Sequence, residues 1–186
     1  SHLLQALPQP PKRLVYYSTT GVYGDTQGSW VNESSPLLGN TPRALRRMHA
    51  EQVICDYAAA YHCPYTILRV AGIYGPSRLP IDRLMSRPQR PIINIEESPY
   101  VNLIHVSDLA RITYQIMHQP FIQVCNQVFN VSDGAPILNS IFYLELASQL
   151  GCEPPPFREL SEVLAQSSKA AKEFIAVSKR VCSKKL

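Results

Sequence analysis

The sequence predicts an α/β protein built on a parallel sheet, and three observations predict it. An aromatic and β-branched run, Arg13-Leu14-Val15-Tyr16-Tyr17, is followed by a long helical stretch (41–62) and a second buried run, Tyr65-Thr66-Ile67-Leu68-Arg69-Val70-Ala71. A strand, a crossover helix and a strand make a βαβ unit, whose strands are parallel and whose crossover is right-handed. Both runs end in the same kind of string, Gly21-Val22-Tyr23-Gly24 and Gly72-Ile73-Tyr74-Gly75. Ligands on open α/β sheets sit beyond the carboxyl ends of strands, so the two exits are expected to border one crevice. Finally, 186 residues that are 45% hydrophobic and 17% charged can bury a core and are too apolar for a disordered charged tail.

Taken in order, His2 to Leu7 reads as the last turns of an apolar helix, stopped by Pro8, Pro10 and Pro11. The first strand leaves through the polar string Ser18-Thr19-Thr20 into a loop that runs to Asn40. Thr41 is an N-cap and Pro42 takes the first helical position. Ala50, Val53, Ile54, Tyr57, Ala58 and Tyr61 make the inward face of this helix at 3.6 spacing, and Pro64 marks the exit. Further on, Ile81 to Met85 predicts a turn or two of helix, Pro91 to Ile95 a short strand, and Val101 to His105 another. Ser107-Asp108 opens a helix to His118 with Leu109, Ile112, Ile116 and Met117 inward. Gln127 to Val131 is a strand, Asp133-Gly134 a turn, and Leu138 to Leu150 a helix that Gly151 ends. After the stiff joint Pro154-Pro155-Pro156, one last helix covers Ser161 to Val177, and Ser178 to Leu186 is a basic, solvated end.

Several function classes are excluded at this stage. Of the formal net charge of +4, the last 36 residues carry seven Lys/Arg and four Glu, so the remainder is nearly neutral and offers no broad nucleic-acid surface. No apolar run is long enough to span a bilayer, and the first residues have neither the basic nor the apolar region of a signal peptide. Five cysteines without a C-x-x-C pair fit no zinc template, so no metal site is expected and the thiols are read as reduced, in a cytoplasmic protein.

Four ordered segments carry a resemblance. Ser18-Thr19-Thr20-Gly21-Val22-Tyr23-Gly24-Asp25 resembles a segment of the extended short-chain dehydrogenase/reductase superfamily, in its nucleoside-diphosphate-sugar epimerase/dehydratase branch. The runs from Ile67 to Arg78, from Asn102 to Ala110 and from Phe129 to Gly134 resemble further segments of that branch in the same order. The resemblance implies a partial Rossmann-like parallel sheet over residues 1–76. It implies a mixed α+β substrate-side region over 77–186, whose strands and helices near 101–118 and 127–150 return to the sheet. It also implies an internal piece of a longer protein, because the family opens with a glycine-rich phosphate loop and no G-x-G-x-x-G occurs here.

The chemistry departs from the family at one place. Relatives carry a Tyr-x-x-x-Lys pair on the helix after the first of these strands, both side chains on one face. Counting back from Glu51, the two positions hold Arg43 and Arg47. An arginine does not give up its proton, so Arg43 cannot serve as the acid/base, while Arg47 can still donate to ribose hydroxyls. The resemblance makes Thr19 the positional match of the catalytic Ser/Thr. It places Ser18, Thr19, Arg47, Ala71, Gly72 and Ile73 at the cofactor, and Tyr23 and Arg78 toward substrate. Tyr23 and Tyr74 are also read as packing beneath the crevice, with Tyr23 the one tyrosine near enough to stand in for the acid. Arg43, Arg46 and Arg47 crowd the first turn of a helix against its dipole, which hints at an anionic partner. Arg69 is expected to pair with a carboxylate, His49 and His62 to lie on the helix surface, and Asp108 to cap its helix beside His105.

The expected function is an NAD(P)-dependent nucleotide-sugar epimerase/dehydratase-like protein, truncated or catalytically degenerate. The alternatives are a non-catalytic dinucleotide-binding or regulatory protein of the same fold, and a remnant without ligand. NAD or NADP is expected for the intact protein, with very weak binding by this chain alone. The partners expected are a small-molecule substrate such as a nucleotide sugar and a second copy of the chain across an exposed sheet edge. No nucleic acid and no membrane is expected.

Overall fold

The computed structural model describes residues 2–86 and 88–186, with side chains at all of these except 2, 3, 121, 122, 169 and 170. After the short helix α1 (His2–Gln5), β1 (Leu14–Thr19) runs into a 3-10 turn (Thr20–Tyr23). Then follow β2 (Trp30–Val31), the long helix α2 (Pro42–Tyr61), β3 (Tyr65–Val70) and β4 (Gly72–Tyr74). Thr41 caps α2 by accepting from Ala44 N at 3.1 Å, with Pro42 behind it, and the helix ends at His62 in the left-handed region.

The middle of the chain holds α3 (Ile81–Met85), β5 (Ile92–Ile93), β6 (Tyr100–Val101), β7 (Leu103–His105), α4 (Val106–His118) and α5 (Phe121–Val124). The last part holds β8 (Gln127–Val131), β9 (Ile137–Leu138), α6 (Asn139–Gln149), β10 (Phe157–Arg158), α7 (Leu160–Gln166), α8 (Lys169–Ile175) and β11 (Arg180–Val181).

The main sheet is parallel, in the order β1-β3-β8. Leu14 lies opposite Tyr65 and Thr19 opposite Val70, while Val70 faces Val131 on the other side. The two predicted βαβ strands are therefore parallel neighbours. β3 is central and is buried from Thr66 to Val70, as expected of a parallel strand covered on both faces. Its side chains alternate. Leu68 and Val70 join Leu109, Ile116, Phe129 and Val131 on the α4 face, while Ile67 joins Ile54 and Leu4 on the α2 face. Arg69 shares the α2 face with Ile67 by this alternation.

The two glycine-bounded strings differ internally. The closing glycine is the required one in each. Gly24 has φ 69°, and a Cβ there would lie 2.7 Å from the Leu38 carbonyl; Gly75 has φ 154°, with Val106 Cγ1 2.7 Å from such an atom.

Several expectations change. The inward face of α2 keeps Ile54 and Ala58, with Val53 and Tyr57 partly buried against the core, and adds Ala44 and Glu51, whereas Tyr61 is exposed. In α4, Leu109 and Ile116 are buried but Met117 points out. The cap of α4 is His105, whose Nδ1 accepts from Ser107 N, while Asp108 pairs with Arg111 one turn on. The strand expected over 101–105 breaks at Asn102, because β6 pairs antiparallel with β9 and β7 parallel with β4. The last helix is two, since Ser167 turns extended and ends one, and Ser168 caps the next by accepting from Ala171 N.

The basic end is solvated only at Lys184, Lys185 and Leu186, and the residues before them are held in the fold. β11 pairs with β2, Lys179 is buried, and the Arg180 guanidinium lies 5.3 Å from the Trp30 ring centroid and 5.0 Å from that of Tyr100. Among the described residues the five cysteines are free, no cluster of His, Cys, Asp and Glu is suited to a metal ion, and no helix is long and apolar enough to cross a membrane.

Candidate functional site

The carboxyl ends of β1 and β3 lie side by side, because the register places Ser18 opposite Arg69 and Thr19 opposite Val70. Beneath them is a buried polar network. Arg69 and Glu51 are each 6% exposed. The guanidinium donates from Nη2 to Glu51 Oε2 at 2.8 Å and from Nε to Oε1 at 3.2 Å. Ser18 donates to the same carboxylate at 2.5 Å. On the other side, Arg69 Nη1 donates to the Tyr23 hydroxyl at 3.0 Å, and Tyr23 donates onward to Asn130 Oδ1 at 2.7 Å. Asn130 then donates from Nδ2 to the Cys182 carbonyl at 3.0 Å, and its backbone N to Glu33 Oε1 at 2.8 Å. Two charges taken out of water are tolerable only with such complete partnering.

This arrangement sorts the expected site residues. Tyr23, expected toward substrate, is fully buried with its hydroxyl committed on both sides. Burial raises its pKa against the opposing effect of the Arg69 charge, which makes it a poorer proton carrier near neutral pH. It packs beneath the crevice and offers a ligand no contact. Ser18, expected at the cofactor, is likewise turned inward to Glu51 and is 6% exposed.

Thr19 is half-buried. Its hydroxyl accepts from Gly21 N at 3.1 Å and, among the described residues, donates to nothing. Arg47 reaches back from α2 to β1, donating from Nη1 to the Tyr16 hydroxyl at 3.1 Å and to the Tyr17 carbonyl at 3.4 Å. Arg43 is exposed one turn earlier.

The other flank is backbone. Ala71 N donates to the Val131 carbonyl and Gly72 N to the Asn102 carbonyl, each at 2.9 Å, while the Ile73 side chain is exposed. Arg78 is exposed on the turn after Gly75, where Arg78 N donates to the Gly75 carbonyl. Thr19 and Arg47 thus stand at β1, Ala71 and Gly72 continue from β3, and Arg78 lies on a separate turn.

Sequence reasoning paired Arg69 with an unnamed carboxylate and used Glu51 only as a counting mark. It missed Asn130, Glu33 and Tyr16. The available signal was a polar side chain inside an apolar strand, as in Phe129-Asn130-Val131, which needs a buried partner.

The donor set fits one end of a dinucleotide. A ribose could meet the Arg47 nitrogens not used on Tyr16 and Tyr17, which leaves the unspent Thr19 hydroxyl for a neighbouring group. A pyrophosphate would find no glycine-rich turn in this sequence.

The model of the NAD dependent epimerase/dehydratase family matches residues 1–132. This chain belongs to that family. Protein YeeZ of Escherichia coli strain K12 is 31% identical to it over 158 residues, which are 82% of this chain and 52% of that protein. The chain therefore spans about half the length of the curated relative. Among solved structures, a functionally unknown conserved protein from Silicibacter pomeroyi superposes with a TM-score of 0.80 at 32% identity, over 92% of this chain and 57% of the other. The UDP-glucose 4-epimerase of Thermotoga maritima, solved with UDP-glucose, gives a TM-score of 0.71 at 19% identity over 94% and 55%. At that identity the likeness is one of fold.

Proposed function

We propose that, in a protein of its relatives' length, this chain forms the substrate-side wall of a crevice holding a nicotinamide dinucleotide, NAD or NADP, and a nucleotide-linked sugar. In this reading Arg47 donates to ribose hydroxyls, and Thr19 donates to the oxygen of the sugar at which reaction would occur. The backbone around Ala71, Gly72 and Ile73 lies along the cofactor, and Arg78 meets substrate phosphate. The dinucleotide, when bound, would supply a hydride acceptor. Five free cysteines support a cytoplasmic setting.

The observation that carries the reading is the pair Arg43 and Arg47, four residues apart on α2, with Arg47 fastened to β1 below Thr19. It favours a degenerate member over an active one. Neither arginine can exchange a proton near neutral pH, and Tyr23 is sealed away. Losing a general acid/base costs about 10²–10⁴-fold in rate. A dinucleotide-binding protein with little turnover is therefore the form the geometry favours.

The test is an assay of the full-length protein for cofactor reduction and for interconversion of UDP- and dTDP-sugars, with NAD and NADP binding followed by calorimetry. The expected result is dinucleotide binding with turnover near background, and measurable turnover in the Arg43→Tyr/Arg47→Lys double variant. Robust wild-type turnover would overturn the degenerate reading; absence of dinucleotide binding would overturn the whole proposal.

A further inference from the structure

Away from the crevice, α3, β5, α6, α7 and α8 enclose a cavity of about 100 Å³ lined by Arg83, Ile93, Asn139, Tyr143, Val163, Ala171, Phe174 and Ile175. None of these residues belongs to β1, β3 or the network beneath them, so the cavity is separate from the site described above. Among the described lining residues its one charged side chain is Arg83. That guanidinium donates from Nη2 to the Pro91 carbonyl at 2.6 Å and sits 5.0 Å from the Tyr143 ring centroid. Its Nε is shut off from solvent and has no acceptor among the described residues. A donor atom cut off from water is ordinarily paired, so this one calls for an acceptor, although the Arg83 side chain as a whole is half-buried. Among the described residues no carboxylate lines the cavity.

We propose that the cavity is a binding site for a small carboxylate, which accepts from Arg83 beside the polar side chains of Tyr143 and Asn139. Size and charge select this class. About 100 Å³ is room for roughly three waters, enough for a carboxylate head and a carbon or two. One guanidinium neutralises a monoanion but leaves a phosphate dianion under-compensated in a wall otherwise built of Ile93, Val163, Ala171, Phe174 and Ile175. Arginine also matches a carboxylate in geometry. Access lies at Phe174, which lines the cavity yet is 65% exposed, on the seven-residue helix α8. Burial raises the Tyr143 pKa, opposed by Arg83, so the phenol stays neutral and able to donate.

The experiment uses the 186-residue chain with acetate as the probe, against chloride at equal ionic strength and pH. The melting midpoint is expected to rise by about 3 °C at acetate concentrations tenfold above the dissociation constant, and to go on rising with the logarithm of concentration beyond it. Acetate should perturb the amide resonances of Tyr143, Asn139 and Ala171. Arg83→Met should abolish both responses, and so should Ala171→Leu, which fills the space while keeping the charge. No difference between acetate and chloride in the wild type would overturn the proposal, as would a response that survives in either variant. If a variant does not fold, the wild-type resonances decide: shifts confined to the cavity support the site, and shifts elsewhere or none refute it.

Discussion

Arg69 and Glu51 act as one unit, and substitution should expose this. Removing one partner leaves the other charged, buried and unpaired, which typically costs about 3–5 kcal/mol. Glu51→Gln or Arg69→Met should therefore lower the melting midpoint by roughly 6–20 °C in a chain of this size. The double variant Glu51→Leu/Arg69→Met should lose less than the sum, because no orphan charge remains; thermal melts of the three proteins close the cycle.

Lys179 is the second such residue. Burial lowers its pKa to about 8 from 10.5, with the nearby Asp25 charge pulling the other way. Between about pH 8 and 10.5 the unfolded chain then binds more protons than the folded one, so this residue's contribution to stability improves as pH rises through that window. Below pH 8 its penalty is full. Lys179→Met should stabilise at pH 7, by about 2–3 kcal/mol, and the advantage should shrink steadily toward pH 10 in melts of the two proteins.

Among the elements, Asn102 ties the end of the chain to the crevice. Its side chain accepts from Val181 N at 2.7 Å and donates to the Lys179 carbonyl at 3.0 Å, while its own carbonyl accepts from Gly72 N. Asn102→Ala removes both side-chain bonds. It should cost about 2 kcal/mol and, in hydrogen exchange, expose the Val181 amide before the main sheet opens. Nothing local in the sequence marks β11, because its two residues are ordered by partners more than seventy positions away. The same physics separates what could be read from what could not. α2 was legible because Thr41, Pro42 and Pro64 are local signals, and β1 and β3 because their apolar runs are. Glu51 was not legible as an inward residue, since patterning counts a carboxylate as solvent-facing until Arg69 turns it in. The positions of Arg43 and Arg47 could be read by spacing from Glu51. That Tyr23 would be sealed and Tyr16 would receive Arg47 depended on contacts across the sheet.

For the whole molecule the decisive feature is the outer edge of the three-stranded sheet. β8 is protected there: Glu33 takes the Asn130 N–H, Lys185 donates to the Val128 carbonyl, and the Lys185 amine lies 5.0 Å from the Phe129 ring centroid. β1 has no comparable cover. Beyond the Arg47 bond to the Tyr17 carbonyl, no strand of the described residues pairs with its outer side, and Tyr17, whose hydroxyl pairs with Thr113 on α4 at 2.6 Å, stays half exposed beside it. A six-residue aromatic and β-branched edge of this kind is a template for another strand. The 186-residue chain should therefore self-associate through β1, with a scattering mass that climbs from low to high micromolar concentration. Tyr17→Lys places a charge on that edge and should hold the protein as a monomer without loss of its cooperative melt. A wild-type chain that stays monomeric throughout would show that β1 does not act as an open edge in solution, and the search for a covering partner would move to the apolar surface at Leu45 and Tyr61 on α2.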